Sequence, residues 1–317
     1  MKKYNAIIIG LGKIGMQYGF DSKRKQPASH TATIIDNPNL TLKAVCDVNE
    51  KTRYLFTEKY GNDIPVYENY SKLFKEIQSE ELICDIIVIA TPDFTHEKLL
   101  ESLLENLKNV KKPTVIFCEK PLTENLTSAK KIQQMMNNSN VKIIVNHTRR
   151  WSNIWKEAYA LSKDIGEIQE AVFYFSTSPE NKEVEQIRDG IHIADILSWF
   201  NITSQTKINR LNTKYFIYDF HLWGNLGKIE IINFGETLNF YKPKKSSRFE
   251  NFNELELILT KTIEESTLVN AYDEIVTFLN NDIEHLTNEI NDAIMAHDVF
   301  EKYVYKKKFK NSLEKSS

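Results

Sequence analysis

Three side chains stand where proton chemistry could be done. Lys120 follows the apolar run Val115-Ile-Phe-Cys118 and Glu119, and precedes Pro121. A lysine at the end of a buried strand, with a proline turning the chain rigidly behind it, can project its ammonium into a ligand crevice. There it can hydrogen-bond a hydroxyl or shift toward neutrality. Taken alone, it could equally be a solvated loop lysine. In Arg188-Asp-Gly-Ile-His-Ile-Ala-Asp195, His192 and Asp195 are three apart and so share one helix face, with Gly190 upstream permitting close approach. A histidine titrates near neutral pH and can take the proton of an alcohol as hydride leaves its carbon. A lone helical histidine is more often structural, and the same holds for His96 and His147.

Such residues need elements that position them. The chain opens on Tyr4-Asn-Ala-Ile-Ile-Ile9 and runs into Gly10-Leu-Gly-Lys-Ile-Gly15, a G-x-G-x-x-G turn at a strand end with a helix expected behind it. Gly10 makes the tight turn, Gly12 lets backbone N–H groups approach a pyrophosphate, and Gly15 lets the following helix sit close against the strand. That helix N-terminus adds a partial positive charge. Leu11, Lys13 and Ile14 belong to the same loop. The next strand, residues 40–47, stops on Asp47. An acidic side chain there can accept both ribose hydroxyls and would repel a ribose 2′-phosphate, which favours NAD over NADP. Asp47 lies further from Gly15 than the usual spacing of about 20 residues. The charged, proline-containing stretch Asp21-Ser-Lys-Arg-Lys-Gln-Pro-Ala-Ser29 reads as an inserted surface loop that accounts for the difference.

Helix patterns at 30–37, 50–60, 71–78, 96–107 and 125–137 alternate with strand patterns at 65–67, 84–92, 115–118 and 141–146. Alternation of this kind implies a doubly wound parallel sheet. Ligands of such sheets sit outside the carboxyl ends of the strands, which selects Asp47, Thr91-Pro92, Glu119-Lys120-Pro121 and Asn146. Beyond Asn146 the pattern changes. Strands at 166–175, 207–216, 220–226, 228–234 and 237–241 follow one another with a single helix at 191–200, and helices at 268–279 and 289–305 close the chain. The expectation is an α/β protein: a Rossmann domain over residues 1–146 and an α+β domain over 147–317 with a mostly antiparallel, open sheet.

Composition excludes several classes. A chain of 317 residues with a formal net charge of −2 has no electrostatic footprint of a general nucleic-acid binder. The basic stretch Lys306-Lys-Lys-Phe-Lys310 reads as a solvated helix end. Cys46, Cys84 and Cys118 are odd in number and widely spaced, against a disulfide framework or a metal site and in favour of a reducing compartment. With neither a signal-peptide pattern nor a membrane-length apolar run, a cytoplasmic protein is expected.

Taken in order, Gly10-Leu-Gly-Lys-Ile-Gly15, Ala90-Thr-Pro92 with His96, Cys118-Glu-Lys-Pro121 and Gly190-Ile-His-Ile-Ala-Asp195 resemble the glucose–fructose oxidoreductase, inositol dehydrogenase and rhizopine catabolism (Gfo/Idh/MocA) family over nearly the whole chain. The resemblance implies NAD(P)-dependent redox chemistry on a sugar, cyclitol or nucleotide sugar, and a homodimer or homotetramer paired through the open sheet. By that resemblance Thr91, Pro92, His96 and Glu119 lie by the cofactor, and Lys120 sits by nicotinamide and substrate. His192 takes the acid/base role, Asp195 lines the same pocket, and Arg150 meets the substrate. Lys120 and His192 should therefore converge on one face of the nicotinamide. The family often carries an acidic residue four before the histidine, where this chain has Arg188, with Asp189 one position later. Arg188 could hold a carboxylate or phosphate bidentately, or be an exposed arginine. Two alternatives keep the fold: a non-catalytic NAD-binding sensor or structural protein, and transient use of NAD for net elimination or hydrolysis.

Overall fold

A computed structural model describes residues 3–108, 114–137, 140–176, 186–202 and 205–304, with residues 186–189 described by their backbone only. The basic stretch at 306–310 and the chain between 177 and 185 lie outside the described residues, as do the side chains of Arg188 and Asp189.

The first unit alternates as its hydrophobic pattern demands: β1 (Tyr4–Ile9), α1 (His30–Asp36), β2 (Leu40–Cys46), α2 (Glu50–Tyr60), β3 (Val66–Tyr67), α3 (Tyr70–Gln78), β4 (Ile86–Ile89), α4 (His96–Asn106), β5 (Thr114–Cys118), α5 (Leu126–Met136) and β6 (Val141–Val145). Among the described residues these strands form one sheet of order β3-β2-β1-β4-β5-β6, every pair parallel. β4 and β5 are buried along their whole length, as central parallel strands covered on both faces must be. Strand order reverses between β1 and β4, and the crevice at that reversal is where open α/β sheets bind ligands.

No α-helix follows the glycine turn directly. Residues 13–16 make one turn, with Met16 N–H donating to the Gly12 carbonyl at 2.9 Å, and Gln17–Phe20 is a 3-10 segment. The helix resumes at α1, where His30 N–H donates to the Ile14 carbonyl (3.0 Å) and Thr31 N–H to that of Gly15 (2.9 Å). Each of these bonds spans sixteen positions where an α-helix spans four, so twelve residues are looped out and the ladder resumes as if His30 were residue 18. Asp47 lies thirty-two positions after Gly15; with twelve looped out, the effective spacing is about 20, as a dinucleotide fingerprint requires. Residues 22–26 of the insert are exposed, and its return is tied down by Ser266 Oγ donating to the Pro27 carbonyl at 2.6 Å.

The second unit contains α6 (Asn153–Leu161), β7 (Ile168–Ser176), α7 (Gln186–Trp199), β8 (Thr206–Leu211), β9 (Tyr218–Gly224), β10 (Gly227–Ile232), β11 (Thr237–Lys245) and β12 (Asn253–Thr262). Its sheet has the order β12-β11-β10-β9-β7-β8, antiparallel except for the parallel β7–β8 pair. One face buries Phe173, Phe220, Leu222, Ile229, Ile231, Leu238 and Phe240 in a core shared with α6 and α7. β8 stops at Leu211, short of the expected 216. Beyond it the chain is held to β7 by a side chain instead: Ser176 Oγ donates to the Tyr215 carbonyl (2.9 Å) and accepts from Ile217 N–H (2.8 Å).

α8 (Thr267–Leu279) and α9 (Ile290–Val299) close the described chain, α9 running on into a π-helical turn at Phe300–Val304. Packing divides the chain into residues 1–148 with 266–294, and 149–265 with 295–317. The segment expected within a domain of 147–317 thus returns to the Rossmann unit. Its ties are specific: Tyr4 Oη donates to Asn280 Oδ1 (2.8 Å), Asn37 Nδ2 to Asp273 Oδ1 (3.1 Å), and Val145 N–H to the Asn288 carbonyl (3.0 Å). Among the described residues no helix is long and apolar enough to cross a membrane.

The looped-out register makes a direct prediction. Deleting residues 18–29 joins Gln17 to His30 and restores a continuous helix, at the cost of the Ser266–Pro27 hydrogen bond and of the one that buried Ser29 Oγ accepts from Ala32 N–H, each worth about 1 kcal/mol. The shortened chain should melt cooperatively within about 5 °C of the parent when followed by circular dichroism; loss of the folded signal would show that the insert is integral to the helix.

Candidate functional site

The glycine loop is built by close approach. Gly10 has a φ of +98°, and a Cβ on it would lie 2.6 Å from the Ala90 carbonyl carbon and oxygen at the end of β4. A Cβ on Gly15 would fall 2.1 Å from the Gly10 carbonyl oxygen. A Cβ on Gly12 would meet nothing within 4 Å, so this glycine borders open space. Leu11 is buried, Ile14 half-buried and Lys13 exposed. Asp47, at the end of β2, braces the loop: Oδ2 accepts from Leu11 N–H at 2.7 Å and Oδ1 from Asn49 N–H at 2.8 Å. Arg53 reaches back from α2, its Nη1 donating to the carbonyls of Asp47 (2.9 Å) and Val48 (3.0 Å).

The ends of β4 and β5 are stapled together. Thr91 Oγ1 lies 2.7 Å from Thr95 Oγ1, which also donates to the Pro92 carbonyl at 2.6 Å. His96, the fully buried first residue of α4, places Nδ1 2.8 Å from the Pro121 carbonyl oxygen and Nε2 2.9 Å from that of Thr91. It thus braces the Thr91-Pro92 loop to the Lys120-Pro121 loop. Lys120 is half-buried, and Glu119 before it is 9% exposed. Glu119 Oε1 accepts from His30 Nε2 (3.0 Å) and from Asn146 Nδ2 (2.6 Å), while His30 Nδ1 pairs with the Tyr272 hydroxyl at 2.8 Å. Burial alone would raise the Glu119 pKa, but the hydrogen bonds from His30 and Asn146 and the charges of His30 and Lys120 outweigh it and hold the carboxyl below its ordinary range. Burial, with the Glu119 charge beside it, pushes the Tyr272 phenol well up.

The second unit holds its own candidates. His192 is half-buried on α7, and Asp195 on the same helix is 2% exposed. Arg150 Nε donates to Asp195 Oδ1 at 2.9 Å, its Nη2 reaches Ser198 Oγ at 3.4 Å, and its guanidinium lies 5.6 Å from the Trp199 ring centroid. Arg150 is itself buried, so the guanidinium expected to meet substrate is used to hold Asp195 inside this unit. Burial drives the Asp195 pKa up to about 6 against the pull of Arg150 and Arg149. Gly190 has the close neighbour its place suggested: a Cβ there would lie 2.4 Å from Phe300 Cε2.

Sequence reading missed His30 and Tyr272. Nothing marks Tyr272 in advance. His30 becomes visible once the insert is subtracted, for it then falls three helix positions after Gly15 and turns toward the end of β5.

Residues 4–147, just under half of the chain, match the model of the Gfo/Idh/MocA oxidoreductase family, NAD-binding Rossmann fold. The N-terminal unit is thus similar to that family's NAD-binding domain. No match is found among curated protein sequences. Solved structures share the fold across both units. An oxidoreductase from Agrobacterium radiobacter, in complex with NAD+, L-tartaric acid and magnesium, is 15% identical with a TM-score of 0.69, covering 96% of each chain. A 3-ketoreductase from Actinomadura kijaniata, in complex with NADP and TDP-benzene, is 11% identical with a TM-score of 0.70, covering 96% of this chain and 98% of that one. The super-repressor mutant of Gal80p from Saccharomyces cerevisiae is 16% identical with a TM-score of 0.72, covering 96% of each.

The N-terminal unit of this chain fits a dinucleotide on its own geometry. Open space over Gly12, between two glycines that packing forbids to carry side chains, is a cradle that a Cβ would fill. Asp47, fixed by Leu11 N–H, retains acceptor capacity on both oxygens for ribose hydroxyls.

The Arg150–Asp195 pair carries a pH signature. The folded carboxyl keeps its proton up to about pH 6, against an ordinary value of 3.8, so rising pH across that window favours the unfolded state, and the effect is complete above it. Arg150→Met should destabilise by about 3–5 kcal/mol at pH 8, where Asp195 is left charged without the Arg150 guanidinium. At pH 5 the cost should be smaller, because Asp195 is then protonated. Denaturant unfolding of both proteins at the two pH values measures this difference, and an equal cost at both would exclude the pair as its source.

Proposed function

We propose that this protein is an NAD-dependent oxidoreductase that interconverts a secondary alcohol and a ketone on a sugar, cyclitol or nucleotide sugar. The observation that carries the reading is the pairing, at the carboxyl ends of one parallel sheet, of an Asp47-braced glycine loop with Glu119-Lys120-Pro121. Bound NAD would supply the hydride acceptor, held at the glycine loop, Asp47 and the Thr91-Pro92 loop. The chain's own residues handle the proton. Lys120 hydrogen-bonds the substrate oxygen and stabilises its developing negative charge. His192 receives the hydroxyl proton as general base and returns it in the reverse direction. Asp195, held by Arg150, orients the face of α7 that carries His192. Arg188, one turn before His192, is assigned to an anionic group of the substrate, and Asp189 beside it to the substrate as well. The likeness to a Gal80p super-repressor supports a second reading, NAD binding without turnover. NAD reduction on a panel of sugars, cyclitols and nucleotide sugars separates the two: binding without reduction across the panel favours the second.

Cofactor choice follows from Asp47. Its carboxylate would face a 2′-phosphate unfavourably, and Arg53, the nearest cation on α2, is committed through Nη1 to two backbone carbonyls. NADH should bind more tightly than NADPH, and Asp47→Ser should narrow the difference; fluorescence titration showing NADPH bound more tightly by the parent protein would remove the assignment.

For the chemical step, general-base assistance contributes typically about 10²–10⁴-fold. His192→Ala should lower kcat by that factor with NADH affinity nearly unchanged. Lys120→Ala should be at least as damaging, since it removes both positioning and charge. Full turnover in either variant, measured on a substrate found in the panel, would defeat its assigned role.

A further inference from the structure

The buried chain Tyr272–His30–Glu119–Asn146 takes no part in the proposed hydride and proton transfers, yet it ends one residue from Lys120. A carboxylate buried without partners is costly, and here Glu119 Oε1 collects two donors, from His30 and Asn146. A carboxylate can only accept, so a His30 proton belongs on Nε2, while Nδ1 meets the Tyr272 hydroxyl, which can donate to a neutral ring or accept from a protonated one. The rings are fixed as well: His30 meets Phe117 edge-on at 5.1 Å between centroids, and Phe117 meets Tyr272 edge-on at 5.5 Å. Four elements converge on the end of β5: the start of α1 gives His30, α8 gives Tyr272, the end of β6 gives Asn146, and β5 itself gives Phe117. Lys120 is the next residue along the chain, so a Glu119 side chain tied by two donors fixes the backbone from which the lysine projects, and the charge of Lys120 helps to hold the Glu119 carboxyl down.

We propose that His30, backed by Tyr272, is a positioning residue for Lys120: it pins the Glu119 carboxylate as a fixed buried anion that sets the placement and charge of the lysine beside it. The groups facing that carboxylate are His30 from α1 and Asn146 from β6, with Tyr272 of α8 behind His30 and Lys120 the neighbouring charge along the chain. This rests on the proposed function only in making Lys120 the substrate-facing lysine; the coupling itself needs no substrate.

The test is accordingly substrate-free. Lysines of the full-length protein are reductively methylated with 13C-formaldehyde, and the Lys120 dimethylamino resonance is identified by its disappearance in Lys120→Arg. Its midpoint is then followed against pH. Glu119→Gln should lower the midpoint by about one unit, the size expected for an opposite charge removed from a close neighbour. His30→Ala should move the resonance and lower the midpoint in the same direction, because the anion is no longer pinned. Tyr272→Phe, which deletes one oxygen, should do so to a smaller extent and keeps the test open if His30→Ala does not fold. His30→Gln, which retains a donor, should restore part of the shift. A Lys120 resonance and midpoint unmoved by Glu119→Gln, or unmoved by every folded His30 and Tyr272 variant, overturns the proposal. If Lys120→Ala retains turnover, the functional reading fails while these titrations stand.

Discussion

A contact that allows no side chain governs the Rossmann unit: a Cβ on Gly15 would lie 2.1 Å from the Gly10 carbonyl oxygen, and one on Gly10 would lie 2.6 Å from the Ala90 backbone. β1 can end this close to β4 only because position 10 is glycine, and the turn can fold back onto the strand end only because position 15 is. Four features depend on that closeness. The helix after the turn is held directly against the strand end, its ladder passes from Ile14 and Gly15 to His30 and Thr31, and the His30 ring is delivered beneath the end of β5. Leu11 N–H, exposed by the same turn, is met by Asp47. Glycine packing, acidic brace and buried histidine are consequences of one backbone approach.

How much of this the sequence discloses depends on burial. β1, β4 and β5 are covered on both faces and read as unbroken apolar runs, so their places and the residues just beyond them were legible. After the glycine turn the insert and the helix behind it were legible too, but not that the residues on either side of the insert share one helical ladder, because an exposed excursion separates the two fragments. β12 escaped notice because the strand is exposed along most of its length, with Leu255, Leu257 and Ile258 all at 45% or more, so no buried face marks it. Partners distant in sequence are harder still. Nothing local in Arg150 says that Asp195, forty-five residues on, will occupy its guanidinium, and nothing in Tyr272 points to His30.

The two units treat buried charge in different ways. Glu119 is surrounded by donors and stays anionic at a cost its partners offset, whereas Asp195 has a cation beside it and still has its pKa driven up to about 6. Glu119 Oε1 gathers an imidazole N–H and an amide N–H and has the charges of His30 and Lys120 to hold it down, while Asp195 Oδ1 takes the Nε of an arginine that also reaches toward Ser198. The direction of each shift is the balance between burial and the donors and charges that reach the carboxyl.

The loop between Gln17 and Ser29 has a geometric property of its own. Its two ends enter and leave a single helical ladder at neighbouring steps, so the number of residues in the excursion drops out of the register of everything downstream. Asp47, Lys120 and the rest keep their three-dimensional addresses whatever the excursion's length, provided that its ends can meet. The fold therefore offers a splice point: a peptide tag, or a small domain whose termini lie close together, could be carried at the exposed tip formed by residues 22–26 while the nucleotide-binding frame keeps its phase.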